Sequence, residues 1–182
     1  DFKLPSHVDL MKTLSQEGLL PCIYFIFSRK ATQQKAEELI KQCRFAKDQD
    51  ITTILSLYNQ YIGQEIRDLD SSKTLKRFLL RGVAIHHAGM LPGQKLLVEE
   101  LFALGLVKVL YATETFAVGI NMPAKSVCFN TLEKYDGRVF RYLHTKEYFQ
   151  LAGRAGRRGI DKEGYAIALF NKGGEAAKVT AD

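Results

Sequence analysis

The chain has 182 residues, 46% of them apolar and 25% charged, with a net charge of +6 and a pI near 9.2. That length carries one domain with a full core, and that composition excludes a disordered, collagenous or disulfide-dense chain. The basic balance favours an anionic partner, and no apolar run approaches the roughly 18 residues of a membrane span.

Cys22, Cys43 and Cys128 are widely spaced without a CxxC, and the four histidines complete no metal pattern. Free thiols in a reducing compartment follow. With no signal peptide the sequence reads as soluble and cytoplasmic, or nuclear in a eukaryote, with no membrane partner. It begins at Asp1 rather than a methionine and ends in a small, polar tail, so it reads as an excised piece of something longer.

Residues 4–20 read as a short helix or linker closed by Gly18 and Pro21. Cys22-Ile23-Tyr24-Phe25-Ile26-Phe27 is a continuous apolar run, the pattern of a strand buried on both faces. It breaks at Ser28-Arg29-Lys30. A helix follows, with Ala36, Leu39, Ile40 and Cys43 on one stripe. Residues 44–81 are again helical: Ile51, Ile54, Leu55, Tyr58, Tyr61 and Ile62 form one stripe, and Leu75, Phe78 and Leu79 another. The two tyrosines suit a core better than a base-stacking platform. This helical insertion has no evident chemistry.

Gly82-Val83-Ala84-Ile85-His86-His87 is the next strand, breaking into Ala88-Gly89-Met90-Leu91-Pro92-Gly93. Pro92 opens a helix with Leu97, Leu101 and Leu104 in register, ended by Gly105. Val107-Lys108-Val109-Leu110-Tyr111-Ala112 is a third strand and Ser126-Val127-Cys128-Phe129-Asn130-Thr131 a fourth. Between them Val118-Gly119-Ile120-Asn121-Met122-Pro123 reads as a loop. Residues 133–144 read as irregular. A helix begins near Thr145, read as its N-cap, and Tyr165-Ala166-Ile167-Ala168-Leu169-Phe170 is the last strand. Strands alternating with helices predict an α/β fold, a doubly wound and mainly parallel sheet flanked by helices. Residues 21–172 form the domain, 44–81 its insertion and 173–182 a tail.

In such sheets functional loops lie at the carboxyl ends of strands. Those ends carry Ser28-Arg29-Lys30, His87-Ala88-Gly89 and Thr113-Glu114-Thr115, whose hydroxyls, bases and backbone amides suit phosphate contacts. Ser28 equally suits a helix N-cap, Arg29 and Lys30 solvated charge, and Thr113 a turn cap. One of His86 and His87 faces inward, as a buried, hydrogen-bonded imidazole with no carboxylate nearby in sequence. The richest stretch is Gln150-Leu151-Ala152-Gly153-Arg154-Ala155-Gly156-Arg157-Arg158-Gly159-Ile160-Asp161. On a continuous helix Gln150, Arg154 and Arg157 share one face, and guanidiniums bind phosphate oxygens bidentately. The glycines cost helix stability, about 1 kcal/mol each, which suggests a close approach of the backbone to a ligand. A solvated basic face beside a flexible turn fits the same residues. The phosphate loop G-x-x-x-x-G-K-[ST], an acidic box for magnesium and the dinucleotide fingerprint are all missing. The chain offers arginines to a triphosphate but holds none by itself.

Four stretches in order resemble the motifs of the second RecA-like lobe of superfamily 2 helicases, and specifically the superkiller-type DExH-box RNA helicases of RNA turnover. Phe25-Ile26-Phe27-Ser28-Arg29-Lys30 resembles motif IV, residues 83–92 the motif after it, residues 112–124 motif V and residues 150–161 motif VI. DNA-repair helicases share the Gly153-Arg154-Ala155-Gly156-Arg157 core, whereas Arg158-Gly159-Ile160-Asp161 and Thr113-Glu114-Thr115-Phe116 are more similar to the RNA branch. Leu151 stands where methionine is frequent, a volume-conserving change. The resemblance implies an ATP-dependent RNA helicase in which a missing N-terminal RecA-like lobe brings the phosphate loop and magnesium. This lobe then supplies Arg154 and Arg157 as arginine fingers, with Gln150 beside them and Gly119 and Asn121 near the ATP. Ser28, Arg29, His87, Gly89 and Thr113 would hold single-stranded RNA, in preference to DNA, and the partners would include an RNA-decay complex. The fragment alone is expected to be inactive. The alternatives are a non-catalytic nucleic-acid-binding lobe and a DNA helicase of the same superfamily.

Overall fold

The computed structural model describes residues 5–114 and 122–169. Gly119, Asn121, the first residues of the leading segment and the tail at 173–182 lie outside them. Helix α1 (His7–Gln16) leads into strand β1 (Cys22–Phe25) and helix α2 (Arg29–Ile40). Residues 44–81 form a 3-10 turn (Asp48–Asp50) and three helices, α3 (Ile51–Tyr61), α4 (Gln64–Arg67) and α5 (Asp70–Leu79). Then come β2 (Val83–His86), α6 (Pro92–Ala103), β3 (Val109–Ala112), β4 (Ser126–Phe129), β5 (Glu133–Tyr135), β6 (Phe140–Tyr142), α7 (Thr145–Ala152) and β7 (Tyr165–Ala168).

Five strands form one sheet in the order β2-β3-β1-β4-β7, and every pairing in it is parallel. The doubly wound expectation holds, and its cause is visible in the alternation. Ile23, Phe25, Ala84, Leu110, Ala112, Val127 and Phe129 point to one face, against α3, α6 and Leu151 of α7. Cys22, Tyr24, Val83, Ile85, Val109, Tyr111 and Cys128 point to the other, against α1, α2 and Phe78 of α5. Strands β1 to β4 are buried along their whole length and mostly apolar at successive positions, as strands covered on both faces must be, whereas the edge strand β7 is partly exposed. Each large side chain so enclosed contributes about 1.5–3 kcal/mol. Tyr58 is buried, as expected, and its hydroxyl donates to the Ser72 carbonyl at 3.0 Å.

Three expectations need correction. Residues 133–144 are not irregular: β5 and β6 make an antiparallel hairpin with Glu133 opposite Tyr142 and Tyr135 opposite Phe140. Asp136 and Gly137 form its turn, where the Asp136 carboxylate accepts from the amides of Arg138 and Val139 and Gly137 takes a φ of +100°. Thr145 is the first residue of α7 rather than its cap; His144 precedes it, donating its amide to Glu147 at 2.8 Å. Finally, α7 stops at Ala152, so Gln150, Arg154 and Arg157 do not share a helical face.

Candidate nucleic-acid and phosphate site

Parallel register aligns the carboxyl ends of the strands. Ala112 of the middle strand lies between Phe25 on one side and His86 on the other, so the segments beginning at Ile26, His87 and Thr113 emerge side by side on one edge of the sheet. Ser28 caps α2, its hydroxyl oxygen accepting from the Ala31 amide at 3.3 Å, so the capping role allowed by the sequence is real. Arg29 opens the same helix and is exposed. Gly89 lies between Arg29 and His87: a Cβ there would sit 3.3 Å from an Arg29 guanidinium nitrogen and 3.2 Å from His87 Nδ1. The Gly89 amide donates to that Nδ1 at 3.1 Å, so the neutral imidazole carries its proton on Nε2. Burial pushes the His87 pKa down, and the Arg29 charge pushes the same way. Thr113 is buried at 9% exposure, and its amide donates to the His86 carbonyl at 3.1 Å.

Among the adjacent histidines His86 is the inward one, and it has a carboxylate partner that the sequence does not reveal. Its Nε2 donates to Glu99 of α6 at 2.9 Å. Burial lowers its pKa and Glu99 offsets part of that shift. Thirteen residues separate the two, and only the crossover from β2 to α6 brings them together.

The arginine segment lies on the opposite edge, near the amino ends of the strands, about 10 Å of strand away. Helix α7 runs back across the sheet with Tyr148 stacked on Phe129 and Leu151 buried, and leaves Gln150 exposed in its last turn. The chain then breaks into a tight turn because Ala155 pairs with Ala124 just before β4. The Ala124 amide donates to the Arg154 carbonyl at 2.9 Å, and the Gly156 amide to the Ala124 carbonyl at 2.7 Å.

Small residues here let the chain's own backbone cross closely. Gly156 takes a φ of +87°, and a Cβ on Gly164 would fall 2.4 Å from Ala155 C and Gly156 N. Only glycine permits that crossing. Thr113 thus lies on the carboxyl edge and Ala124 beside the arginine turn. Gly119 and Asn121 fall between them in the chain but outside the described residues.

Arg157 is engaged by Asp161. Its Nε and Nη2 donate to the two carboxylate oxygens at 2.8 and 2.9 Å, and its amide donates to Oδ2 at 3.0 Å. The Asp161 side chain is 4% exposed and that of Arg157 26%. The guanidinium holds the Asp161 pKa down at about 2. The i,i+4 spacing is the sequence signal that marks this pair.

The sequence also misses an ion-pair hub at Glu147. Its carboxylate accepts from Arg141 at 2.8 and 3.0 Å and from Lys134 at 2.6 Å, while Lys134 also donates to Glu114 at 2.8 Å. Arg141, then Lys134, depress the Glu147 pKa well below the usual carboxylate range. The hairpin is thereby tied both to α7 and to the segment after β3. Its rings are exposed, Tyr135 at 58% and Phe140 at 75%, with centroids 5.4 Å apart. The Asp136-Gly137 dipeptide between aromatic positions is the signal that could have found it.

Among the described residues no helix is long and apolar enough to cross a membrane. Residues 34–159, more than half of the chain, match the family described as helicase conserved C-terminal domain. The chain is 42% identical over 166 residues to the DExH-box ATP-dependent RNA helicase DExH10 of Arabidopsis thaliana, covering 90% of this chain and 17% of that protein. It is 40% identical over 174 residues to the exosome RNA helicase MTR4 of Mus musculus, covering 93% of this chain and 17% of that protein. With the antiviral helicase SKI2 of Saccharomyces cerevisiae it shares 39% identity over 163 residues, covering 88% of this chain and 13% of that protein. The chain spans about a fifth or less of the length of these relatives. On this similarity and on its five-stranded parallel sheet, the chain belongs to the helicase conserved C-terminal domain family, has a RecA-like fold, and resembles the DExH-box RNA helicases along most of its length.

Proposed function

We propose that this chain is the second motor lobe of an ATP-dependent RNA helicase, that Arg154 and Arg157 act on ATP held against a first lobe, and that the carboxyl edge grips single-stranded RNA. The observation that carries the reading is the rigid arginine turn. Its backbone is pinned to Ala124 on one side and pressed against Gly164 on the other, so both arginines are carried by a backbone that cannot easily yield. The donor set fits phosphoryl oxygens. Asp161 engages Nε and Nη2 of Arg157 and so fixes the plane of its fork, while Nη1 is not among the atoms it engages. Gln150 adds an exposed amide one turn before.

ATP supplies the phosphoryl group, and the partner lobe supplies the magnesium ligands. The residues of this chain stabilise charge: an arginine placed against a transferring phosphoryl group is worth roughly 10³–10⁵ in rate, or about 4–7 kcal/mol of barrier. Gly119 and Asn121 approach the nucleotide in this reading. On the other edge Ser28, Arg29, His87, Gly89 and Thr113 hold the strand through its phosphates, which gives affinity without sequence preference and a steep salt dependence. Closure of two lobes on ATP drives the strand along in this reading. The relative named for the exosome supports an RNA-decay assembly as partner in this reading.

The test compares the full-length protein with this 182-residue chain. Full-length protein is expected to hydrolyse ATP when single-stranded RNA is added, and the chain alone to show no turnover because half the site is absent. RNA-stimulated hydrolysis by the isolated chain would overturn the assignment of the phosphate loop to another lobe. A full-length protein that binds RNA but never hydrolyses ATP would favour a scaffold.

A further inference from the structure

Residues 44–81 have no role in the reading so far, yet they wall a cavity that opens beside the proposed RNA grip. The cavity has a volume of about 250 Å³ and lies at the carboxyl end of the edge strand β2. Leu69 and Thr74, from α5 and the residue before it, form one side, and Gln33 of α2 forms another. Ile85, His87 and Met90 line it from β2 and the loop that follows. Gly89 belongs both to this cavity and to the Arg29–His87 cluster.

The polar wall is firmly built. Gln94 is 2% exposed; its Nε2 donates to the hydroxyls of Ser71 and Ser72 at 3.0 and 3.1 Å, and its Oε1 accepts from the Leu91 amide at 3.0 Å. The loop carrying His87, Gly89 and Met90 is thus fastened to α5 from beneath. The space is smaller than the roughly 300–1,000 Å³ of ordinary small-molecule sites, and it suits a single planar ring better than a nucleotide. Its lining combines apolar surface, an imidazole held neutral on one tautomer, an amide and a hydroxyl. Proteins read single-stranded RNA in that way, by turning a base out, stacking it on a ring and bonding its edge.

We infer that this cavity receives one unstacked base of the bound strand, so that the lobe holds RNA by a base as well as by phosphates. The inference rests on the RNA-gripping reading above. A backbone passing Ser28, Arg29 and Gly89 arrives at the mouth of the cavity, and α5 of the insertion supplies its outer wall.

The experiment walks a single abasic nucleotide along a single-stranded oligonucleotide bound to the full-length protein and measures the dissociation constant by fluorescence anisotropy. One position is expected to weaken binding by about tenfold, the scale of a lost base stack, with its neighbours little affected. Thr74→Phe, which fills the cavity, is expected to weaken the intact oligonucleotide to the same degree and to abolish the penalty at that position. Gln33→Leu, at an exposed site that does not threaten folding, is expected to change which base is preferred there. Tight binding with a flat abasic profile would overturn the base pocket and leave the phosphate grip standing. The same holds for a penalty that persists unchanged in both variants. Failure of the wild-type protein to bind RNA at all would sink the grip and the pocket together.

Discussion

Replacing Asp161 by asparagine removes the charge that holds Arg157, and the consequence follows from three bonds. The carboxylate accepts from Arg157 Nε, Nη2 and amide N at 2.8, 2.9 and 3.0 Å. An asparagine keeps one acceptor oxygen and turns an NH₂ donor toward guanidinium donors. Hydrogen bonds to charged groups are each worth about 1.5–3 kcal/mol, but they are not additive and Arg157 is a quarter exposed, so solvent screens part of the charge. The expected loss is about 1–3 kcal/mol at neutral pH. For a domain of this size that is a fall in Tm of about 2–10 °C.

The pH dependence has a definite sign. The Asp161 pKa is lowered to about 2 in the folded protein, against about 3.9 for an unperturbed aspartate. Its stabilisation is therefore complete above about pH 4 and lost between about pH 4 and pH 2. Melting wild type and variant across that range is expected to show a gap at pH 7 that closes by about pH 2. In the full-length protein, an unpinned Arg157 is expected to lower RNA-stimulated turnover by about tenfold or more, since small misplacements of a catalytic group are costly. Equal melting temperatures at pH 7 would refute the stabilising role. Faster turnover in the variant would mean that Asp161 restrains the arginine rather than orienting it.

Gly164→Ala places a Cβ 2.4 Å from backbone atoms of Ala155 and Gly156; the arginine turn must shift, so both Tm and turnover are expected to fall, and an unchanged turnover would contradict the rigid-turn argument. Arg29→Ala is expected to weaken RNA binding uniformly across sequences and to reduce the slope of log affinity against log salt by about 1, measured by titration at several salt concentrations. His7 is 5% exposed and joins the Tyr111 hydroxyl at 2.7 Å to Glu38 at 2.6 Å; His7→Ala leaves both without it and is expected to cost about 2–4 kcal/mol in denaturant unfolding. Burial lowers the pKa of His7, His86 and His87. The unfolded chain therefore takes up their protons first, and stability is expected to decline as pH falls below about 6.5, before the carboxylate limb is reached.

The sheet was legible because a strand covered on both faces must be apolar throughout, and Cys22, Ile23, Tyr24 and Phe25 are. The carboxyl-edge loops were legible because Ser28, His87 and Thr113 mark abrupt ends to such runs. Partners across space were not: His86 with Glu99, and His7 with Glu38 and Tyr111, depend on crossovers that no local pattern encodes. The residues of the arginine segment repeat at helical spacing, yet beyond Ala152 the chain is not helical. Pairing with Ala124 and the crossing at Gly164 outweigh that weak local preference, in a stretch already rich in glycine. The hairpin was overlooked because its two strands are three residues each, with a turn signal only at Asp136-Gly137.

The most direct measurement is RNA-stimulated ATP hydrolysis by full-length protein carrying Arg157→Ala, beside its affinity for the same RNA. Turnover is expected to fall by roughly 10³ or more while the dissociation constant for RNA stays within a few-fold of wild type. Turnover that survives the substitution, or RNA binding that is lost in equal measure, would contradict the arginine-finger reading.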